Sequence, residues 1–158
     1  MALVVLSPVT GTVVAMSDVP DPVFAEGMVG PGIAVDPVGI GDTSTAVAPI
    51  AGTVVSLHPH AFVVSDGRRG VLVHLGIDTV QLRGDGFTVH VAQGDAVRAG
   101  EPLITWSPAE VAAGGRSPLV PVLALEVTPD ELEILTAPGT RVTAAGGDSP
   151  GTALLRIP

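Results

Sequence analysis

The sequence predicts an all-β fold: a duplicated antiparallel β-sandwich or flattened barrel with one or two short helical turns, formed by residues 1–158 as a single domain. Two observations carry this reading. Apolar residues come in short runs of Val, Ile and Leu cut by 20 Gly and 15 Pro, without the sustained 3.6-residue periods of amphipathic helices. The chain also echoes itself. "SPVTGTVV" at Ser7 to Val14 returns as "APIAGTVV" at Ala48 to Val55, and "GDAVRAG" at Gly94 to Gly100 has a looser copy in "GTRVTAAG" at Gly139 to Gly146. Paired short strands ended by glycine are what a duplicated β unit leaves in a sequence. At 158 residues the chain is one domain by length and can bury a real core.

Taken in order, the repeats supply the first strands. "HAFVVS" (His60 to Ser65) and "GVLVHLG" (Gly70 to Gly76) are β-prone runs joined by "DGRRG", which reads as a tight hairpin loop. If Ser65 pairs with Val71, Phe62 faces His74 and His60 lies two residues further along the same face. The two histidines are then diagonal neighbours, about 7–8 Å apart at the backbone. Only a slip that changes the parity of the pairing sends them to opposite faces. "FTVHVAQG" alternates, which makes His90 a solvent-facing strand residue. In "SPAEVAAGG" Ser107 caps a helical turn with Pro108 at its first position; in "TPDELEILTAPG" Thr128 caps another, with Glu131 three residues on.

Composition excludes several chemistries. Sixteen acidic side chains against seven basic ones give a net charge of −9, so no cationic surface exists to displace counterions from a nucleic acid. The absence of Cys removes thiol nucleophiles and thiolate metal sites. All seven basic residues are arginines, so there is no lysine for a Schiff base or for a biotinyl or lipoyl arm. No segment approaches the roughly 20 apolar residues of a membrane span, and "MALVVLSPVTG" lacks the charge and length of a secretory signal; a cytoplasmic protein without membrane insertion is expected. His58, His60, His74 and His90 are the groups that titrate near neutrality without a large shift. Of these, His60 and His74 form the candidate site, and Asp78 is placed to orient an imidazole or hold its charged form. A hydrogen-bonded boundary pair without chemistry is the plainer reading, and the residues by themselves reach a two-histidine site and no further.

"SPVTGTVV", "VPDPVFAEGMVGPGIAVDP", "VAPIAGTVVSL", "HAFVV", "GVLVHLGIDTVQLRGDGF" and "GDAVRAGEPLITW" together resemble, in the same order and over nearly the whole chain, the glucose-family EIIA component of the bacterial phosphoenolpyruvate:sugar phosphotransferase system. The resemblance implies a cytoplasmic phosphocarrier. On it, His74 matches the histidine that takes the phosphoryl group from the carrier protein HPr and passes it to the IIB domain of a sugar permease of glucose or N-acetylglucosamine type. His60 matches its hydrogen-bond partner, and Asp78 the acidic residue beside the site. Asp21, Phe24, Val29 and Val80 match the docking surface around it, and regulated transporters or enzymes are candidate further partners. No cofactor is required, although His60 and His74 are placed to take up an adventitious or regulatory zinc ion. Two departures stand out: Leu57-His58-Pro59 replaces a longer, threonine-containing stretch, leaving His58 either in the threonine's place or facing solvent, and the short N-terminal stretch before "SPVTG" leads us not to expect membrane attachment through the tail some members use.

A second reading is a zinc metallopeptidase of lysostaphin type, with His58-Pro59-His60 as HxH and His74 with Asp78 as HxxxD. The order of the two motifs is the reverse of that in such enzymes. HxH chelates only if Pro59 bends the chain, because alternate residues of an extended segment face opposite ways.

Overall fold

The computed structural model describes residues 2–37 and 42–158. Strands form where β-branched runs stand between Gly and Pro. The first are β1 (Leu3–Leu6), β2 (Gly11–Ala15), β3 (Gly32–Asp36), β4 (Ser44–Val47) and β5 (Gly52–His58). Next come β6 (Ala61–Ser65), β7 (Gly70–His74), β8 (Thr88–Val89), β9 (Ala96–Val97) and β10 (Pro102–Trp106). The chain ends with β11 (Val120–Leu125), β12 (Glu133–Ile134), β13 (Arg141–Val142) and β14 (Ala153–Ile157). An eight-stranded sheet runs β13-β2-β3-β11-β7-β6-β5-β9, and two three-stranded sheets run β1-β14-β12 and β4-β10-β8, with neighbours antiparallel. The mostly β, sandwich-like architecture expected from the sequence is the one found.

The sequence echo is a pseudo-twofold in the hydrogen bonds. Leu6 N–H donates to Pro49 O (3.0 Å), and its counterpart Val47 N–H donates to Pro8 O (2.9 Å). β13 pairs with β2 through Val142 and Gly11, as β9 pairs with β5 through Val97 and Gly52. Both repeat glycines answer one steric demand. A Cβ on Gly11 would lie 2.2 Å from Asp36 O, and one on Gly52 2.2 Å from Ser65 O, so each strand starts where a neighbouring carbonyl leaves room for hydrogen alone.

The helical turns at Ser107 and Thr128 are present. Among the described residues two short α-helices are present, α1 (Pro22–Ala25) and α2 (Pro108–Ala113); Ser107 Oγ accepts from Glu110 N–H (3.1 Å) to cap α2, and Glu131 accepts from Thr128 N–H (3.0 Å) at a single 3₁₀ turn. α1 itself was not foreseen, yet its signal is legible: Asp21 accepts from Val23 N–H (2.9 Å) and Pro22 occupies the first helical position.

The expected hairpin register is corrected by one residue. Ser65 pairs with Gly70, Phe62 with Val73 and Ala61 with His74. The loop is four residues long because Asp66 closes it: its Oδ1 accepts from Arg68 N–H (2.9 Å) and Arg69 N–H (2.7 Å), and its own N–H donates to Arg69 O (3.1 Å). Gly70 is thereby drawn into the ladder, where it also faces Leu125. Val71, Val73 and Phe62 point into the main core with Trp106 and Leu103. Leu72 points to the other face, onto a smaller cluster of Val19, Phe24, Ala34, Ile77 and Leu123, and by alternation His74 shares that face.

Candidate functional site

His74 ends β7 and is half-buried. Its Nδ1 lies 2.5 Å from Gly76 O. A carbonyl can only accept, so Nδ1 carries the proton of the neutral ring and Nε2 holds a free lone pair. Two rings flank the imidazole: Phe24 edge-on at 5.2 Å between centroids and His60 at 5.0 Å with planes 75° apart. His60 itself lies 5.7 Å from His58, ring to ring.

The corrected register has the parity that should separate His60 from His74, since His60 O accepts from Leu75 N–H (2.7 Å). The rings converge all the same. Pro59 and His60 form the two-residue turn between β5 and β6, where strand alternation no longer applies, and the turn swings the imidazole over the sheet. His58 pairs with Ala61, and Ala61 with His74, so His58, the small Ala61 and His74 stand in one row on one face. Pro59 does bend the chain, and His58, which the sequence left either in the threonine's place or facing solvent, is exposed yet shares the face of His74.

Electrostatics keep the pair neutral near pH 7. Burial holds the His60 imidazole down at about 4, with the charges of His74 and His58 adding to the effect. Burial also pushes His74 below the ordinary imidazole range, opposed by the Gly76 carbonyl and by the carboxylates of Asp21 and Asp78. Asp78 therefore acts on His74 through charge, while the Gly76 carbonyl orients the ring. A neutral His74 presents a nucleophilic nitrogen, and a neutral His60 retains one N–H to donate.

The expected docking residues fall in different settings. Asp21 caps α1 at the edge of the site, and Phe24 is buried against His74 with 8% exposure. Val29 packs on the smaller cluster. Val80 is 59% exposed on the 3₁₀ turn Thr79–Leu82, just past Asp78. Val23 and Met28 are also exposed, and were overlooked because no periodic strand or helix flagged "PVFAEGM". His90 is exposed, as expected, with Nε2 2.7 Å from Thr105 Oγ1, but it lies just past β8 and not in a strand.

The zinc-peptidase alternative finds no support: among the described residues no group of three or more His, Cys, Asp or Glu side chains is placed to hold a metal ion. The HxH rings and His74 are neighbours, but they do not assemble a ligand set with Asp78. Among the described residues, no helix is long and apolar enough to cross a membrane.

Comparison with known proteins bears on the same residues. The family model for the phosphoenolpyruvate-dependent sugar phosphotransferase system, EIIA 1, matches residues 3–128. A glucose-specific EIIA component of Halalkalibacterium halodurans is 36% identical over 148 residues, covering 92% of this chain and 82% of that protein. A mannose-specific EIIBCA component of Corynebacterium glutamicum is 47% identical over 105 residues, 65% of this chain. The match spans 15% of that multidomain protein's length, and 18% for a glucose-specific EIIBCA component from the same species. Among solved structures, glucose permease IIA from Mycoplasma capricolum superposes with a TM-score of 0.84 at 31% identity, covering 99% of this chain and 96% of that one. With the duplicated β fold, the tethered imidazole and these matches together, the chain belongs to the EIIA 1 family of the phosphoenolpyruvate-dependent sugar phosphotransferase system.

Proposed function

We propose that residues 1–158 act as one EIIA unit, a cytoplasmic phosphocarrier that takes a phosphoryl group from phospho-HPr on His74 and hands it to the IIB domain of a sugar permease. The observation that carries this is the His74 ring, with Nδ1 tied to Gly76 O and Nε2 open beside His60. The Nε2 lone pair attacks phosphorus as the bond to the donor breaks, giving a phosphoramidate whose ring keeps its Nδ1 proton. The His60 N–H donates to a phosphoryl oxygen and offsets charge as it develops. The second transfer reverses this geometry toward IIB. Relatives in which EIIA is fused with EIIB, such as the two EIIBCA components, support IIB as the acceptor. Their names cover mannose, glucose, glucosamine and β-glucoside, so the permease partner sets the sugar.

Val23, next to the Phe24 that touches His74, Met28 just beyond it and Val80 two residues past Asp78 are exposed apolar side chains that sequential partners could share. Incubation with phosphoenolpyruvate, enzyme I and HPr, followed by intact-mass measurement, tests the reading. One acid-labile phosphoryl group is expected, and none on His74→Ala. An acid-stable label, or label persisting on His74→Ala, defeats it. The relay runs without metal, so EDTA leaves acceptance intact, while added Zn²⁺ inhibits by occupying Nε2 of His74. Loss of acceptance in EDTA, restored by metal, would count against a metal-free relay.

A further inference from the structure

We propose that the buried hydroxyl of Thr79 is a positioning group for the phosphoryl-accepting nitrogen: it pins the Leu75–Gly76 backbone so that the Gly76 carbonyl holds His74 with Nε2 outward. The inference rests on the phosphocarrier reading for its consequence in transfer, but not for its structural content. Thr79 is fully buried, in contrast to its exposed neighbours Asp78 and Val80. Its Oγ1 donates to Leu75 O at 2.7 Å and lies 3.5 Å from Gly76 O, the atom that receives the His74 Nδ1 proton.

The turn that carries Thr79 needs such an anchor. It is bounded by Asp78 (φ 62°) and Arg83 (φ 53°), both left-handed although neither is glycine, and the Asp78 side chain makes no capping hydrogen bond. Side chains resist that conformation, so surrounding contacts must hold it. Beyond Leu75 N–H on His60 O (2.7 Å), two contacts act on the stretch before the turn: the Thr79 hydroxyl on Leu75 O, and Ile77 N–H donating to Ser117 O at 2.8 Å. Between them they fix the peptides on both sides of Gly76. The Thr79 methyl closes the remaining space, since a Cβ on Gly76 would come within 2.6 Å of Thr79 Cγ2. Hydroxyl and methyl thus have separate tasks, and neither Ser nor Val performs both. Without the hydroxyl the Leu75–Gly76 peptide loses its anchor, and the Gly76 carbonyl, restrained only through Ile77 N–H on Ser117 O, can tilt away from His74. The His74 ring then loses the acceptor that selects the Nδ1–H tautomer, and Nε2 takes the proton in part of the population.

The variants Thr79→Val, Thr79→Ser and Thr79→Ala separate these roles. Imidazole ¹⁵N NMR of the unphosphorylated protein reads the tautomer, and transfer from His74 to IIB reads the rate. Wild type and Thr79→Ser are expected to keep the Nδ1–H form. Thr79→Val and Thr79→Ala should show mixed tautomers, with transfer slower by about 10- to 100-fold, the range seen when an outer partner that orients a ligating histidine is removed. A wild-type tautomer in Thr79→Val overturns the proposal, even if transfer slows. So does a Thr79→Ser protein no better than Thr79→Ala. Should Thr79→Val not fold, the Ser and Ala variants decide, because both lack the methyl and differ in the hydroxyl. If wild-type protein takes no phosphoryl group from HPr, the functional reading fails while the tautomer comparison still tests Thr79.

Discussion

His60 is a turn residue, not a strand residue, and that fact sets its chemistry. Standing above the sheet between His58 and His74, it loses water without gaining a countercharge, which is why its imidazole is held at about 4. In the proposed relay, where His60 donates to the phosphoryl group, it should matter more for passing the group on than for accepting it. His60→Ala is expected to accept phosphate from HPr but to transfer it to IIB about 10²- to 10³-fold more slowly, the loss typical of one deleted electrostatic donor. Single-turnover transfer measures this, and a wild-type rate would leave His60 a bystander. The same residue gives a pH dependence. Between about 6.5, its ordinary value, and about 4, the unfolded chain binds a proton at His60 that the folded chain refuses. Stability is therefore unaffected by this group above pH 6.5 and falls as pH drops toward 4. Urea denaturation across that window should show a shallower loss for His60→Ala than for wild type.

At the scale of the element, the repeat glycines and the caps make different contributions. Gly11 and Gly52 start β2 and β5 against a neighbouring carbonyl 2.2 Å from any Cβ, and backbone cannot step aside as a flexible side chain can. Gly52→Ala should cost about 1–3 kcal/mol, the usual range for overpacking, and Gly11→Ala a similar amount because it occupies the equivalent place. Ser107→Ala removes the cap of α2 and should cost about 1 kcal/mol while leaving phosphoryl acceptance unchanged, since α2 places no residue at His74. Denaturant midpoints with unchanged slopes would check all three. A Gly52→Ala protein as stable as wild type would show that β5 can shift on β6, and the account of the echo would fail.

For the whole molecule the governing quantity is a net charge of −9 with Asp21 and Asp78 acting on the site itself. Such a face attracts a cationic docking surface, and the attraction is screened as the Debye length falls from about 10 Å at 0.1 M salt to about 3 Å at 1 M. The KM for phospho-HPr is expected to rise with ionic strength while kcat changes little. Asp78→Asn should flatten that dependence without abolishing acceptance. A salt-independent KM would assign docking to the exposed apolar side chains of Val23, Met28 and Val80 alone.

Much of this was legible in the chain. The β class, the duplicated "GTVV" units, the capped turns at Ser107 and Thr128, and the membership of His60 and His74 in one site follow from local rules: β propensity, turn chemistry, capping, and a motif order that resembles a known family. Those rules act over a few residues, so a few residues suffice to read them. The register of the β6–β7 hairpin was not legible, because two loop lengths fit "DGRRG" and the Asp66 hydrogen bonds choose between them. The convergence of the imidazoles came out right although the pairing that argued for it was wrong: Pro59 and His60 turn where a strand was assumed. Only the tertiary structure could bring Phe24 onto His74 and Ser117 O onto Ile77, contacts between segments far apart in sequence. The sequence by itself determined which side chains could do the chemistry and supplied the local hydrogen bonds around His74; the packing of Phe24 and Ser117 from distant segments decided what closes around them, because such contacts join residues that no local pattern relates.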